Sequence, residues 1–370
     1  MTEGRIGAVV EDCLKLTSWF GERQRAGGRF FSDVLLDAFE QYGVTSSILL
    51  RATGGFGIRH HLRTDTTLTM SEDPSVMAIA VDHRSRIEPL VDRVAQIQDR
   101  GMLTLERARL VLGDHGPGLP QLPEELHEAT KLTVYVGRHQ RASGAPAYGA
   151  LCDLLHRRGV AGASVLVGVD GTSRGTRERA RFLDRNATVP TMVVAVGEGP
   201  RIHGVLPELG DLLGDPLATL ERVRVCKRDG RLLARPHELP MQDSSGLGLW
   251  QKLMVITSES HLHDGEPVHR GIVRRLRATD ARGCTALRGV WGFHGNHAPH
   301  GDRLWQLGRR VPVVTVVVDT PDRIARSFDV IDEMTGEHGL VTSEMVPAMA
   351  YLEGDVHDDA GGLALASHRF

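Results

Sequence analysis

Two kinds of side chain in this 370-residue chain are gathered at spacings that could do chemistry. The first is arginine set among glycines. Arg23, Arg25 and Arg29 punctuate the run from Gly21 to Arg29, and Gly54, Gly55, Phe56 and Gly57 lead into Arg59, His60, His61 and Arg63. Arg138, His139 and Arg141 recur further on, followed by Arg174, Arg177, Arg179, Arg181 and Arg185. Glycine lets backbone N–H groups come close to an anion, and the guanidinium fork suits phosphate or carboxylate. These residues are candidates for holding a small anionic ligand such as a nucleotide or another phosphorylated small molecule. A solvated arginine-rich rim is the competing reading, since no GxxxxGK[ST] loop occurs.

The second kind is histidine. His261 and His263, then His294, His297 and His300, then Glu337 and His338 crowd the last third of the chain. Neutral imidazole is the commonest ligand for zinc, copper or nickel. His294, His297 and His300, three apart, are the candidate metal ligands. The spacing matches no familiar zinc pattern, so an exposed histidine-rich loop competes with a divalent metal site. Catalysis has less support. Nothing reads as a nucleophile elbow or an HExxH helix, and no nucleophile has an identifiable base, so the chain is expected not to be an enzyme.

The elements that must position these groups come in a repeat. Lys15-Leu16-Thr17 before the first arginine loop returns as Lys131-Leu132-Thr133 and, more faintly, as Lys252-Leu253-Met254, spacings of 116 (15 to 131) and 121 (131 to 252). Pro74, Pro190 and Pro312 follow those lysines by 59, 59 and 60 residues. Within the first repeat, alternation predicts a strand over 14–20, and apolar residues three and four apart predict a helix over 30–42. Strands follow over 47–52 and 76–81, then a helix through Ile87 to Ile97 and a strand over 105–112. The order β-α-β-β-α-β is that of the ferredoxin-like split βαβ unit. The expected fold class is therefore α+β, with three tandem ferredoxin-like repeats at 1–113, 128–230 and 249–350 packed as a single-chain pseudo-trimer. A mobile tail over 351–370 follows. Such a unit places the loop after strand 1, the hairpin between strands 2 and 3 and the loop after helix 2 on one edge, where the arginines and the histidines fall.

Composition limits the remaining choices. With 25% charged and 41% hydrophobic residues the chain is globular, and a net charge of −3 gives no general pull toward nucleic acid or anionic lipid. No apolar run reaches the roughly 20 residues a membrane span needs. Cys13, Cys152, Cys226 and Cys284 form no CxxC pair, as expected of a reduced, cytoplasmic protein with structural thiols.

The chain resembles the PII-like family catalogued as domain of unknown function 190. The residues that carry the resemblance are Gly21-Glu22-Arg23-Gln24-Arg25-Ala26-Gly27-Gly28, Gly54-Gly55-Phe56-Gly57, Leu68 to Pro74, Arg86-Ile87 and Gly101 to Glu106. Repeat 2 echoes it in Lys131-Leu132-Thr133, Arg201-Ile202 and Ala218 to Glu221, and repeat 3 in Val290 to Phe293 and Val318 to Ile324. The resemblance implies a ferredoxin-like fold related to trimeric PII signalling proteins, which bind adenine nucleotides in clefts between subunits. It further implies a regulatory role toward a membrane transporter, since members are often encoded beside small fluoride exporters. The phosphate-gripping loop of true PII proteins has no match here.

Overall fold

The computed structural model describes residues 9–57, 60–61, 63–64, 73–112, 128–179, 189–295, 298–301, 311–353, 356–357 and 363–368. Among them the chain is mixed α/β, with six helices and large antiparallel sheets. Repeat 1 has strands Val9–Gly21, Ser46–Arg51, Ser75–His83 and Arg100–Leu112, with helices α1 (Phe31–Gln41) and α2 (Arg84–Ile97). Repeat 2 has strands Thr130–Gly137, Gly162–Val167, Pro190–Gly197 and Leu217–Arg222, with α3 (Ala147–Arg157) and α4 (Gly199–Leu213). Repeat 3 has strands Trp250–Ser258, Cys284–Arg288, Pro312–Asp319 and Leu340–Val346, with α5 (Val268–Arg277) and α6 (Pro321–Met334). The expected β-α-β-β-α-β order is present three times. In each copy the strands lie in the order second, third, first, fourth, all antiparallel.

The two-residue period of strand 1 assigns its faces. Leu14, Leu16 and Phe20 point into a core shared with α1 and α2. Cys13 and Trp19 point the other way, into a cluster that also takes Tyr135 and Met192 from repeat 2 and Met254 and Val314 from repeat 3. Repeats 2 and 3 keep helix-side cores of their own. The face of each sheet away from its helices is thus covered by the other two repeats.

Two sets of strand pairings join the repeats, and both are cyclic. The segment after strand 2 of each repeat adds to strand 2 of another: Gly54–Phe56 pairs with Cys284–Arg288, Asp170–Ser173 with Ser46–Arg51, and Trp291–His294 with Gly162–Val167. Gly54–Phe56 is therefore a strand of the ladder between repeats. Gly55 has a packing reason to be glycine, because a Cβ there would stand 2.4 Å from the carbonyl oxygen of Cys284. Gly171 and Gly292, against Ser47 and Ala163, repeat that close approach. In the second set, the end of strand 4 of repeat 1 pairs with Leu217–Arg222, Arg224–Arg228 of repeat 2 pairs with Leu340–Val346, and Ala348–Glu353 of repeat 3 returns to Arg100–Leu112.

That return corrects the expectation of a mobile tail from residue 351 for its described parts. Residues 351–353 are ladder-bonded to repeat 1. Further along, Ala366 is fully buried, its N–H donates to Pro347, its carbonyl accepts from Arg107, and the Ser367 N–H donates to Asp243. The proline register is also slightly different from the sequence reading. Pro190 and Pro312 face Gly137 and Ser258, but Ser75, one residue past Pro74, faces Gly21.

At the centre lies a ring of six buried charges. Lys15, Lys131 and Lys252 face Glu106, Glu221 and Glu344 across their own sheets, at 3.3, 3.2 and 3.2 Å. Each ammonium bonds more closely to a glutamate of another repeat: Lys15 to Glu221, Lys131 to Glu344 and Lys252 to Glu106. All six side chains are 8% exposed or less. Burial by itself pushes the Glu106 carboxyl up, but Lys15, Lys252 and Lys131 more than reverse it and hold it well below the usual carboxylate range. Glu221 moves in the same net direction against the same opposing burial.

Candidate functional site

A cavity of about 590 Å³ opens between repeat 1 and repeat 3. Four segments of repeat 1 reach it: Gly21 to Arg25 at the end of strand 1, Phe56, Gly57 and His61 after strand 2, Asp73 and Ser75 at the start of strand 3, and Asp99 to Met102 after α2. The topology argument predicts that meeting. Repeat 3 supplies the facing wall, with Arg282 to Thr285 at the start of strand 2, Val316 and Val318 on strand 3, and Tyr351.

The lining divides by chemistry. Trp19, Phe20, Phe56, Val316 and Tyr351 give flat and aliphatic surface, while Arg23, Arg25, Arg100 and Arg282 bring positive charge. Asp73 and Asp99 oppose them, Asp73 accepting from the Arg23 N–H at 2.6 Å and Asp99 from Gln24 at 2.9 Å. The Arg282 guanidinium lies 5.2 Å from the Tyr351 ring and 5.9 Å from that of Trp250, which holds it toward the aromatic wall. Arg25 packs over Phe30 at 4.5 Å and donates to the Gly28 carbonyl.

Of the sequence-derived ligand candidates, Arg23, Arg25, Phe56, Gly57 and His61 line this cavity. Gly54 and Gly55 lie in the adjoining strand, with Gly55 ladder-bonded to Arg63. His60 stacks on Phe56 with centroids 5.4 Å apart, and its Nδ1–H donates to the Arg277 carbonyl of repeat 3. Arg29 is turned to Asp37 at 2.6 Å on the outside. Arg59, Arg181 and Arg185 lie outside the described residues.

Among the described repeat 2 arginines, Arg177, Arg174 and Arg141 are engaged by carboxylates or a backbone carbonyl. Arg177 meets Asp170 at 2.7 Å and Asp33 of α1 at 3.1 Å, and also bonds Asp37, with 14% of its side chain exposed. It ties the repeat 2 hairpin to repeat 1, and three carboxylates already use its donors. Arg174 pairs with Asp215 at 2.8 Å, and Arg141 bonds the Gly144 carbonyl. Arg138 sits in the exposed turn after strand 1.

The histidine edge also differs from the expected trio. His297 lies outside the described residues. The His300 Nδ1–H donates to the Ala298 carbonyl at 2.9 Å. His294 instead meets His261, with ring centroids 5.2 Å apart, and His261 stacks on His338 at 4.2 Å. Among the described residues, Glu106, Glu221 and Glu344 are the acidic, histidine or cysteine group whose ligand atoms all lie within 4.8 Å of one another. Their charge is matched by the three lysines, so this centre is an ion-pair ring and not a cation site.

Contrary to the expectation that no nucleophile-elbow motif occurs, Gly171-Thr172-Ser173-Arg174-Gly175 spells G-x-S-x-G, but it lies in an antiparallel hairpin and not at a strand-to-helix turn. The four cysteines are buried and unpaired, and burial pushes their thiols up, that of Cys226 to about 12. No helix among the described residues is long and apolar enough to cross a membrane.

The lysine–glutamate ring escaped the sequence reading. Its signal was there: a lysine within each apolar first strand, at one register, with a glutamate in each fourth strand.

The family model for domain of unknown function 190, described as "Uncharacterized ACR", matches residues 13–110, 129–225 and 250–348. A UPF0166 protein from Aquifex aeolicus (strain VF5) is 30% identical over 95 residues, which is 25% of this chain and 88% of that protein. One relative's length thus corresponds to one of the three matched segments, and the chain belongs to the domain of unknown function 190 family in three tandem copies.

Proposed function

We propose that this chain is a non-catalytic, PII-like regulatory protein that binds a small anionic ligand of nucleotide size between repeats 1 and 3. In this reading the repeats are ferredoxin-like units arranged as a single-chain pseudo-trimer. Their shared strand order, the two cyclic sets of pairings and the cyclic charge ring support it.

The observation that carries the reading is the make-up of the cavity. Its size of about 590 Å³ lies in the range of small-molecule sites. An aromatic wall suits a flat base, four arginines suit phosphate, and Asp73 and Asp99 can accept from amino or hydroxyl groups. An adenine nucleotide has that combination. The cavity mouth lies on the edge formed by the loops of repeat 1, so occupancy would alter the surface offered to a partner. On the family resemblance that partner is a membrane transporter, such as a fluoride exporter, met from the cytoplasm.

The test is a thermal melt and calorimetric titration of metal-stripped protein with ATP, ADP, AMP and cyclic nucleotides. A ligand at a hundredfold excess over its Kd stabilises the folded chain by about 2.7 kcal/mol. That raises the midpoint by a degree or more. Binding to the wild type that is lost in the Arg23→Ala/Arg25→Ala variant supports the proposal. No binding by any of these nucleotides, or binding unchanged in that variant, overturns it.

A further inference from the structure

The three repeats do not carry the same residues at the place where repeat 1 faces its cavity. Strand registers make the positions comparable. Trp19 faces Met102 and Ile256 faces Leu340, so His338 stands where repeat 1 has Arg100. The turn after strand 1 closes by matching bonds, from the Gln24 N–H to Gly21 and from the His261 N–H to Ser258, so His261 stands where repeat 1 has Gln24. Gly55 pairs with Thr285 and Gly292 with Ser164, at matching points of strand 2, so His294 stands where repeat 1 has Gly57. Gln24, Gly57 and Arg100 all line the first cavity. Repeat 2 has Gln140, Ser173 and Asp215 at these positions. Repeat 3 alone has histidine at every one.

Those three imidazoles are packed against one another. His261 stacks on His338 with centroids 4.2 Å apart and planes 26° from parallel, and the His294 ring stands 5.2 Å from His261 at 74°. Repeat 2 adds a carboxylate: Asp229 Oδ1 is 3.7 Å from His294 Nδ1, and the Asp229 N–H donates to the carbonyl of Gly339, beside His338. Asp229 takes a positive φ of 49° in the turn that brings it there.

We propose that His261, His294 and His338, with Asp229, form a site for one borderline divalent ion such as Zn²⁺ or Ni²⁺, at the cleft between repeats 3 and 2. Three imidazole nitrogens and one carboxylate oxygen are a donor set such ions take, at about 2.0–2.2 Å. A shared ion needs the ring nitrogens closer together than they stand here. Rotation of His338, whose side chain is 48% exposed, together with that of the half-buried His261, supplies that convergence, while His294 at 12% is held in place. The site does not depend on what the first cavity binds. It makes two of the clefts chemically unlike, one for an anion and one for a cation.

Chelator-stripped protein titrated with Zn²⁺ and, separately, Ni²⁺, by calorimetry and by metal analysis after dialysis, tests this directly. One ion per chain is expected, with affinity at least tenfold weaker in His261→Ala and in His338→Asn and unchanged in His300→Ala. Melts of each variant without metal, matching the wild type, separate loss of the site from loss of the fold. Absence of stoichiometric binding overturns the proposal, as does retention of binding in the His261→Ala/His338→Asn double variant. Metal binding by the Arg23→Ala/Arg25→Ala protein keeps this result distinct from the fate of the nucleotide reading.

Discussion

Lys15 of repeat 1 gives its ammonium to Glu221 of repeat 2 as well as to Glu106, which faces it across its own sheet. That relationship, repeated around the ring, ties the relative position of the three repeats to six buried charges. Such pairs add little net stability over apolar packing, but removing one partner strands the others. Lys15→Met is therefore expected to cost about 3–5 kcal/mol. Glu221→Gln in the same chain should recover part of that loss. A denaturant double-mutant cycle measures the coupling, and strict additivity of the two changes would sink this account.

The ring also sets an acid limit. Glu106 and Glu221 are held below their ordinary value near 4.5 in the folded state, so the unfolded chain takes up protons first as pH falls. Their contribution is fully present above about pH 4.5 and is lost as the pH descends through the folded values. Stability measured by calorimetry should vary little on this account from pH 5 to 7 and fall steeply below 4.5. A stability maximum below pH 4 would contradict it.

Gly55 is expected to matter through backbone contact rather than ligand contact. A methyl group there meets the Cys284 carbonyl, so Gly55→Ala should destabilise the chain by about 2 kcal/mol or more. Amide exchange should report the damage at Thr285, its ladder partner. Unchanged protection of that amide would refute the packing role.

Arg177 is the corresponding test in repeat 2. Its loss leaves Asp170, with a side chain 5% exposed, beside Asp33 and Asp37, with the more exposed Arg179 and Arg29 as their remaining cations. Arg177→Ala should cost about 2–3 kcal/mol while leaving nucleotide affinity at the repeat 1 cavity unchanged. A large loss of nucleotide affinity with normal stability would instead make Arg177 a ligand residue.

Much of the fold was legible in the sequence because strand and helix periodicities are local. Leu14, Leu16 and Phe20 alternate with Cys13 and Trp19 whatever the rest of the chain does, and the threefold return of the lysine motif gave the repeats. The β-α-β-β-α-β order then placed Arg23, Phe56 and Gly101 on one edge, because parallel and antiparallel strands leave their loops at fixed ends. What the sequence could not decide was which repeat faces which. Arg282 and Tyr351 opposite Arg23, Glu221 beside Lys15, and Asp229 beside His294 are contacts between segments more than 60 residues apart, with no local periodicity to announce them. The identical loop chemistry of Arg23 and Arg177 came apart for the same reason. Carboxylates of α1 close on Arg177, whereas Arg23 opens onto a cavity, and only the packing of one repeat on another makes that difference.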